Sequence, residues 1–183
     1  MESAFDRAIV KLIELEHGDR VAWHKNDRGG PARYGITEAV ARANGYAGPM
    51  TQLPVAIAMR IAHAQYWDIM SLDQVAVLSE RLAYELFETG YRIEQGVAAC
   101  LLQRWLNVLN RQAHEYGPLR VDGLVGPMTL HSLRTFFDRR ADAEALLLRG
   151  LSGSLAERRL ELAEADPTSE LAIADWLRRR GGV

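Results

Sequence analysis

The chain has 183 residues, 48% of them hydrophobic and 25% charged, which is the composition of an ordinary globular protein with room for one core or two small lobes. Its formal net charge of −2 excludes the global basic field with which nucleic-acid-binding and membrane-surface proteins hold their partners. No apolar run approaches the roughly 20 residues that cross a bilayer, so we expect neither a nucleic-acid partner nor stable membrane insertion.

The N-terminus carries acidic residues in a helical pattern, whereas a secretory signal begins with basic residues and continues with an apolar block. We therefore expect synthesis in the cytoplasm without a signal peptide. The single cysteine, Cys100, lies in an apolar run, where a small buried side chain is expected. We interpret two arginine clusters, Arg139–Arg140 and Arg178–Arg180, as solvated helix ends.

The first predicted helix is followed by a polar loop. Phe5, Ile9 and Leu12 repeat at helical spacing, and Gly18 lies where such a helix would stop. The stretch 20–34 is polar and rich in glycine, so it is predicted to be a loop or a short irregular hairpin.

Capping residues mark most of the later helices. These helices are predicted from Thr37 to Ala43, from Pro54 to about Trp67, from Ser79 to Gly90, from about Gln95 to Arg111, from Pro127 to about Arg139, from a capping box at Ser154–Glu157 to near Asp166, and from Thr168 through Trp176. Strand signals are sparse. The sequence predicts an all-α fold, with a small irregular hairpin after the first helix as an option. It predicts two helical lobes, 1–90 and 91–183.

One carboxylate stands out on the first helix. Glu16 continues the stripe of Phe5, Ile9 and Leu12 at the helix's C-terminal end. An apolar surrounding and the negative end of the helix dipole both raise the pKa of a carboxyl group, and a protonated carboxyl at neutral pH is what a general acid needs. The other interpretation is that Glu16 reaches solvent at a frayed helix end.

Glycoside hydrolysis normally needs a second carboxylate or another group that holds a water. The loop after Glu16 offers Asp19 and Asp27. Asp27 precedes Gly29 and Gly30, which allow a tight turn back towards the helix end. An aspartate before glycines also serves simply to form a turn.

Several segments, taken in order, resemble glycoside hydrolase family 108. They are Glu16–Gly18, Asn26–Gly30, Tyr34–Thr37 and Gln65–Trp67 in the first half. The second half resembles the predicted peptidoglycan-binding region that accompanies this family, through Leu102–Gln103, Val121–Thr129 and Trp176–Arg179. The resemblance covers nearly the whole chain and implies a lysozyme-like helical fold, with muramidase activity of the phage-endolysin kind on bacterial peptidoglycan.

The resemblance also implies functions for individual residues. Glu16 would be the catalytic acid and Asp27 the second carboxylate. Two positions depart from the family pattern, since His17 replaces a glycine and Ala32 replaces a threonine. The missing hydroxyl leaves four alternatives, in which it is replaced by Thr37, Asp19 or His24, or in which Asp27 acts alone.

Aromatic side chains are candidates for a sugar-binding cleft, because flat rings stack on pyranose faces. We place Tyr34, Trp23 and Trp67 there, with Thr37 as a further substrate-binding residue, and core packing is the alternative for each aromatic. Two further tryptophans lie on apolar helical stripes and are expected in the core, Trp105 and Trp176.

No cofactor or metal site is predicted. The five histidines show no pair on one helix face with a third ligand, and no phosphate-binding glycine loop or nucleophile elbow is present. The Asp122–Gly123 segment is a turn that either serves the fold alone or contacts a ligand.

Three functions remain open at this point. The first is a muramidase (endolysin) that cleaves the β-1,4 bond between N-acetylmuramic acid and N-acetylglucosamine, with Glu16 as acid. The second is a lytic transglycosylase that uses Glu16 alone and forms an anhydro-sugar. The third is an inactive cell-wall-binding or virion structural module. As an endolysin the chain is expected to act as a monomer on the wall in the periplasm, after release through a holin-like pore.

Overall fold

A computed structural model of the chain describes residues 2–15, 20–22, 30–165, 173–174 and 176–178. The chain is mostly helical and lysozyme-like, which confirms the predicted fold class. The α-helices are α1 (Ala4–Leu15), α2 (Glu38–Ala43), α3 (Val55–Ala62), α4 (Leu72–Leu78), α5 (Glu80–Arg92), α6 (Gln95–Leu109), α7 (Pro127–Arg139) and α8 (Ala143–Ala165). None of the described helices is both long and apolar enough to cross a membrane.

A small antiparallel sheet lies between α1 and α2, where a hairpin was one of the predicted options. Its strands are β1 (Val21–Ala22), β2 (Ala32–Arg33) and β3 (Ile36–Thr37), in the order β1-β2-β3. Ala32 lies opposite Thr37 in the β2–β3 pair. A 3-10 turn covers Met50–Gln52.

The predicted helix starts at Thr37, Ser79 and Pro127 are confirmed. The Thr37 hydroxyl accepts a hydrogen bond from the Val40 amide at 3.4 Å, and the Ser79 hydroxyl accepts one from the Leu82 amide at 2.9 Å. Pro127 occupies the first turn of α7, where its missing N–H is not needed. Local capping chemistry therefore determines where these helices begin.

Two helices differ from the prediction. The short helix α4 was not anticipated. The capping box at Ser154 is wrong, because α8 runs without interruption from Ala143 to Ala165. The Ser154 hydroxyl accepts a hydrogen bond from Trp105 Nε1 at 3.0 Å instead of capping a helix start, and a serine whose hydroxyl is satisfied elsewhere is tolerated inside a helix.

Most of the interior is one hydrophobic core that draws on both halves of the chain. It includes Phe5, Phe87, Leu102 and Leu133, and Trp176 is buried as expected. A second, smaller core lies beneath the sheet and consists of Ile36, Ala41, Met50, Leu53, Ala58 and Ile61. The division into lobes 1–90 and 91–183 stays a prediction.

Trp105 was expected in the core but is only half-buried, and Cys100 is half-buried as well. The indole lies against α8 at Gly150, where an added Cβ would come within 2.6 Å of the ring carbon Cδ2. The absence of a side chain at Gly150 therefore allows α6 and α8 to pack closely.

Replacing Gly150 by Ala should lower the free energy of unfolding by about 1–3 kcal/mol, because the new methyl group overpacks against a rigid ring. Gly153→Ala is the matched control, since no atom lies within 4 Å of its added Cβ. That control should gain up to about 1 kcal/mol from helix propensity. Urea unfolding of both variants checks this, and equal stabilisation of the two would contradict it.

The expectation that Arg139–Arg140 is a solvated helix end is wrong for Arg140. Its guanidinium makes a two-point ion pair with Glu115, whose second contact is 2.8 Å. The side chains are 12% and 9% exposed. The hydrogen bond from Arg140 holds the pKa of Glu115 below its ordinary value of 4.5.

The Glu115 pair should make stability depend on pH. A carboxyl with a lowered folded-state pKa stabilises fully above its unfolded pKa of 4.5, and this contribution disappears as the pH falls through the folded value. Thermal unfolding of Glu115→Gln should therefore show a Tm below wild type at pH 7 and a shrinking difference on acidification. The exposed Glu164→Gln serves as control, and a pH-independent difference for Glu115→Gln would refute the ion-pair explanation.

Candidate active site

The apolar stripe of α1 is observed as predicted. Phe5, Ile9 and Leu12 are 5%, 1% and 0% exposed, and α1 is described as far as Leu15. The predicted catalytic residues Glu16 and Asp27 lie outside the described residues. The same holds for three other candidates, Asp19, Trp23 and His24. Their functions stay predictions.

Helices α1 and α5 run parallel beside each other. Arg7 pairs with Glu80 at 2.6 Å, and one turn later Lys11 Nζ lies 4.0 Å from the centroid of the Tyr84 ring. A groove of about 480 Å³ follows these pairs and is also lined by Leu15, Glu88 and Trp176.

A buried ion pair lies in the last turns of α5. Glu88 and Arg92 are joined at 3.2 Å, with side chains 11% and 18% exposed. Glu88 lines the same groove as Leu15, so the acidic member of this pair lies on the groove that α1 also lines. Sequence reasoning missed this pair. Its only signal is a glutamate and an arginine four residues apart in the helix.

The sheet is attached to α5 through Tyr91. The Tyr91 hydroxyl donates to the Tyr34 carbonyl at 2.7 Å. Tyr34 and Gly35 both have positive φ, 55° and 78°, and a Cβ at Gly35 would come within 2.5 Å of the Tyr91 ring. Only glycine leaves room for that ring in this turn.

A tyrosine pair joins the two hydrophobic cores. The rings of Tyr66 and Tyr91 lie 4.8 Å apart, and both side chains pack against the main core and the smaller one. Burial raises the pKa of Tyr66 above its ordinary value of 10. Gln95 adds a polar contact, because its side-chain amide donates to the Gln65 carbonyl at 3.2 Å.

The predicted substrate-binding residues within the described ranges lie in two places. Tyr34 and Thr37 lie in the region of the sheet, whereas Trp67 lies in the core. Tyr34 and Thr37 are both half-buried on the sheet, and the Arg33 guanidinium lies 5.0 Å from the centroid of the Tyr34 ring. Thr37 lies directly opposite Ala32, the position where the resemblance leads us to expect a threonine. Side chains opposite each other in an antiparallel pair share one face, so Thr37 carries a hydroxyl beside the vacant position.

Trp67 does not fit the predicted position in a sugar-binding cleft. It is 1% exposed, its indole N–H donates to Asp73 at 2.8 Å, and its ring packs between Phe5 and Phe87. It lies in a π-helical segment, His63–Asp68, that continues α3. No face of the ring is open to a sugar, so Trp67 belongs to the core, which was the alternative interpretation of its apolar setting.

The Asp122–Gly123 turn is held by a buried glutamine. Gln103 is 1% exposed. Its amide donates to the Asp122 carboxylate at 2.8 Å and accepts from the Gly123 amide at 3.0 Å, and the first of these bonds lowers the pKa of Asp122. The turn therefore has a structural explanation. Among the described residues no group of three or more His, Cys, Asp or Glu side chains is placed to hold a metal.

Removing the Tyr91 hydroxyl should loosen the sheet. We expect Tyr91→Phe to cost about 0.5–1.5 kcal/mol of unfolding free energy, because the Tyr34 carbonyl loses its partner. Urea unfolding measures this. Tyr46→Phe removes a comparable hydroxyl, bonded to the Pro49 carbonyl at an exposed position, and should change stability by less than about 0.5 kcal/mol. Equal losses in both variants would show that the Tyr91 bond has no special importance.

Comparisons with known proteins agree with this geometry. Residues 11–93 match the model of the family described as Glycosyl hydrolase 108, and residues 97–181 match that of a Predicted Peptidoglycan domain. The solved structure of Brucella abortus SagA is similar, with a TM-score of 0.68 and 21% identity over 96% of this chain and 88% of that one. At this identity the likeness shows a common fold.

No curated protein matches the chain. The two family models nevertheless cover nearly all of it, in the order that the sequence motifs predict. The chain consists of a glycosyl hydrolase 108 domain followed by a predicted peptidoglycan domain, and is a glycoside hydrolase that degrades peptidoglycan.

Proposed function

We propose that the protein is a muramidase that cleaves the β-1,4 bond between N-acetylmuramic acid and N-acetylglucosamine, with Glu16 as the general acid. The observation that carries this proposal is the buried stripe of α1. Phe5, Ile9 and Leu12 all face the core, and Glu16 is the next member of the stripe in sequence. The match to the glycosyl hydrolase 108 family supports the reaction class.

The expected chemistry follows from that position. An apolar surrounding and the C-terminal end of a helix both disfavour the charged form of a carboxyl group. A neutral Glu16 donates its proton to the bridging oxygen, and the glycosidic bond breaks through an oxocarbenium-like state. Asp27 then activates the attacking water or stabilises that state.

Thr37 is proposed as the group that positions the water or the substrate. It lies opposite Ala32 in the sheet, and its hydroxyl accepts from the Val40 amide. The hydroxyl proton is then available to a water or a sugar oxygen. A threonine on the neighbouring strand would in this way compensate for the one that the family carries at position 32.

The second candidate is a lytic transglycosylase. Its support is the alanine at position 32, because an enzyme that lets the muramic 6-hydroxyl attack needs no residue that holds a water. Glu16 would then act first as acid and afterwards as base, and Asp27 would be dispensable.

We propose a biological setting of lysis by a phage-type endolysin. In this setting the chain is made in the cytoplasm as a monomer, crosses the inner membrane through a holin-like pore and reaches the wall in the periplasm. The match of residues 97–181 to a predicted peptidoglycan domain supports a wall substrate.

Clearing of permeabilised bacteria by wild type and Glu16→Gln tests the catalytic assignment. General acid catalysis contributes about 10²–10⁴-fold, so the variant should clear the suspension at least about 100-fold more slowly while retaining the wild-type Tm. The matched control is Glu14→Gln, an exposed glutamate of α1 that lies off the stripe. Equal activity of Glu16→Gln and wild type would eliminate Glu16 as the acid.

Mass spectrometry of the released fragments separates the two candidates. Hydrolysis gives reducing muramic acid ends, and Asp27→Asn should then lose most activity. Anhydro-muramic products together with an active Asp27→Asn would establish the transglycosylase instead. Binding of insoluble peptidoglycan by wild type without any release of fragments would exclude both.

A further inference from the structure

A wide groove lies away from α1, between α6 and α8. Its volume is about 1060 Å³, and the Asp122–Gly123 turn and the Trp105 side chain line it. All of its lining residues belong to the second half of the chain. We propose that this groove binds the stem peptide of peptidoglycan through the peptide's charged groups.

The two helices that line the groove, α6 and α8, both pack against α5, and this fixes their relative direction. Ser79, which caps α5, donates to Glu144 at the start of α8, and Arg92 at the end of α5 lines a small cavity with Arg159 of α8. Helices α5 and α8 therefore run parallel. Helix α6 returns directly from the end of α5, so it runs antiparallel to α8 and both helices form the walls along their length.

Contacts within the fold hold the walls of the groove in place. The Trp105 indole rests on Gly150 and is bonded to Ser154. Gly123 has a φ of 76°, and its position beside Gly96 is so close that an added Cβ would lie 3.2 Å from the Gly96 carbonyl oxygen. A cleft that needs no rearrangement loses little free energy on binding.

Apart from Asp122, which is bonded to Gln103, six exposed charged residues line this groove. They are three arginines, Arg104, Arg149 and Arg158, and three glutamates, Glu94, Glu157 and Glu161. Within the part of the chain that the structure describes, none of these side chains makes a hydrogen bond or an ion pair. Their charges therefore contribute nothing visible to the fold, unlike those of Arg7 and Arg140, which are paired.

The distribution of charge favours a peptide over a sugar chain. Arg104 and Arg149 lie towards the Trp105 end of the groove, whereas Glu94, Glu157 and Glu161 lie with Arg158 towards the start of α6, so acidic groups outnumber basic ones at that end. The glycan backbone of peptidoglycan is neutral, but its stem peptide carries carboxylates and a free ammonium group. Guanidinium groups bind carboxylates in a two-point geometry, and the glutamates attract the ammonium group.

Titration calorimetry of the full chain with the soluble tripeptide L-alanyl-γ-D-glutamyl-meso-diaminopimelate tests this site. Wild type should bind, with an affinity that weakens as salt is added, and Arg104→Glu/Arg149→Glu should bind at least about 10-fold more weakly. Arg60→Glu/Arg139→Glu is the matched control, because it changes the net charge equally at exposed positions outside the groove and should bind like wild type.

The proposal rests on the proposed function only in taking peptidoglycan as the substrate, and the tripeptide contains no bond that a muramidase cleaves. Glu16→Gln should therefore bind it like wild type, so a failed catalytic assignment and a failed binding site give different results. The proposal is overturned if wild type does not bind the tripeptide, or if both double variants bind it equally. It is also overturned if neutral chitotetraose binds in place of the tripeptide and loses affinity in the Arg104→Glu/Arg149→Glu variant.

Discussion

The hydrogen bond from the Tyr91 hydroxyl to the Tyr34 carbonyl is the constraint on which the arrangement of the site depends. Tyr91 belongs to α5, which also packs against α1, and its ring contacts both hydrophobic cores. The two-residue strands of the sheet form too few ladder bonds to be stable alone. The sheet therefore takes its position from α5, and Thr37 takes its position from the sheet.

The same helix α5 determines what stands beside the end of α1. Because the two helices run parallel, with Arg7 at Glu80 and Lys11 at Tyr84, the end of α1 at Leu15 comes next to Glu88 in the shared groove. One helix thus places both the sheet and the end of α1.

Features governed by local chemistry could be predicted from the sequence, and those governed by packing could not. The caps at Thr37 and Ser79 depend on a hydroxyl and the following turn, so they were predicted correctly. Ser154 carries an equally good local pattern, yet its hydroxyl is used by Trp105. Trp67 likewise has a sequence suited to a sugar site and lies in the core. The pairing of Arg140 with Glu115 joins distant residues and leaves no sequence signal.

The shared main core has a consequence for how such chains diverge. Phe5 and Phe87 from the region of the hydrolase family pack in the same interior as Leu102 and Leu133 from the peptidoglycan region. The two regions are consecutive in sequence but contribute to one main interior, so they are not joined by a tether alone. An exchange of one region between relatives would require the other to change its buried side chains with it. Specificity for different walls is therefore expected to evolve through exposed residues, which can vary without disturbing that common interior.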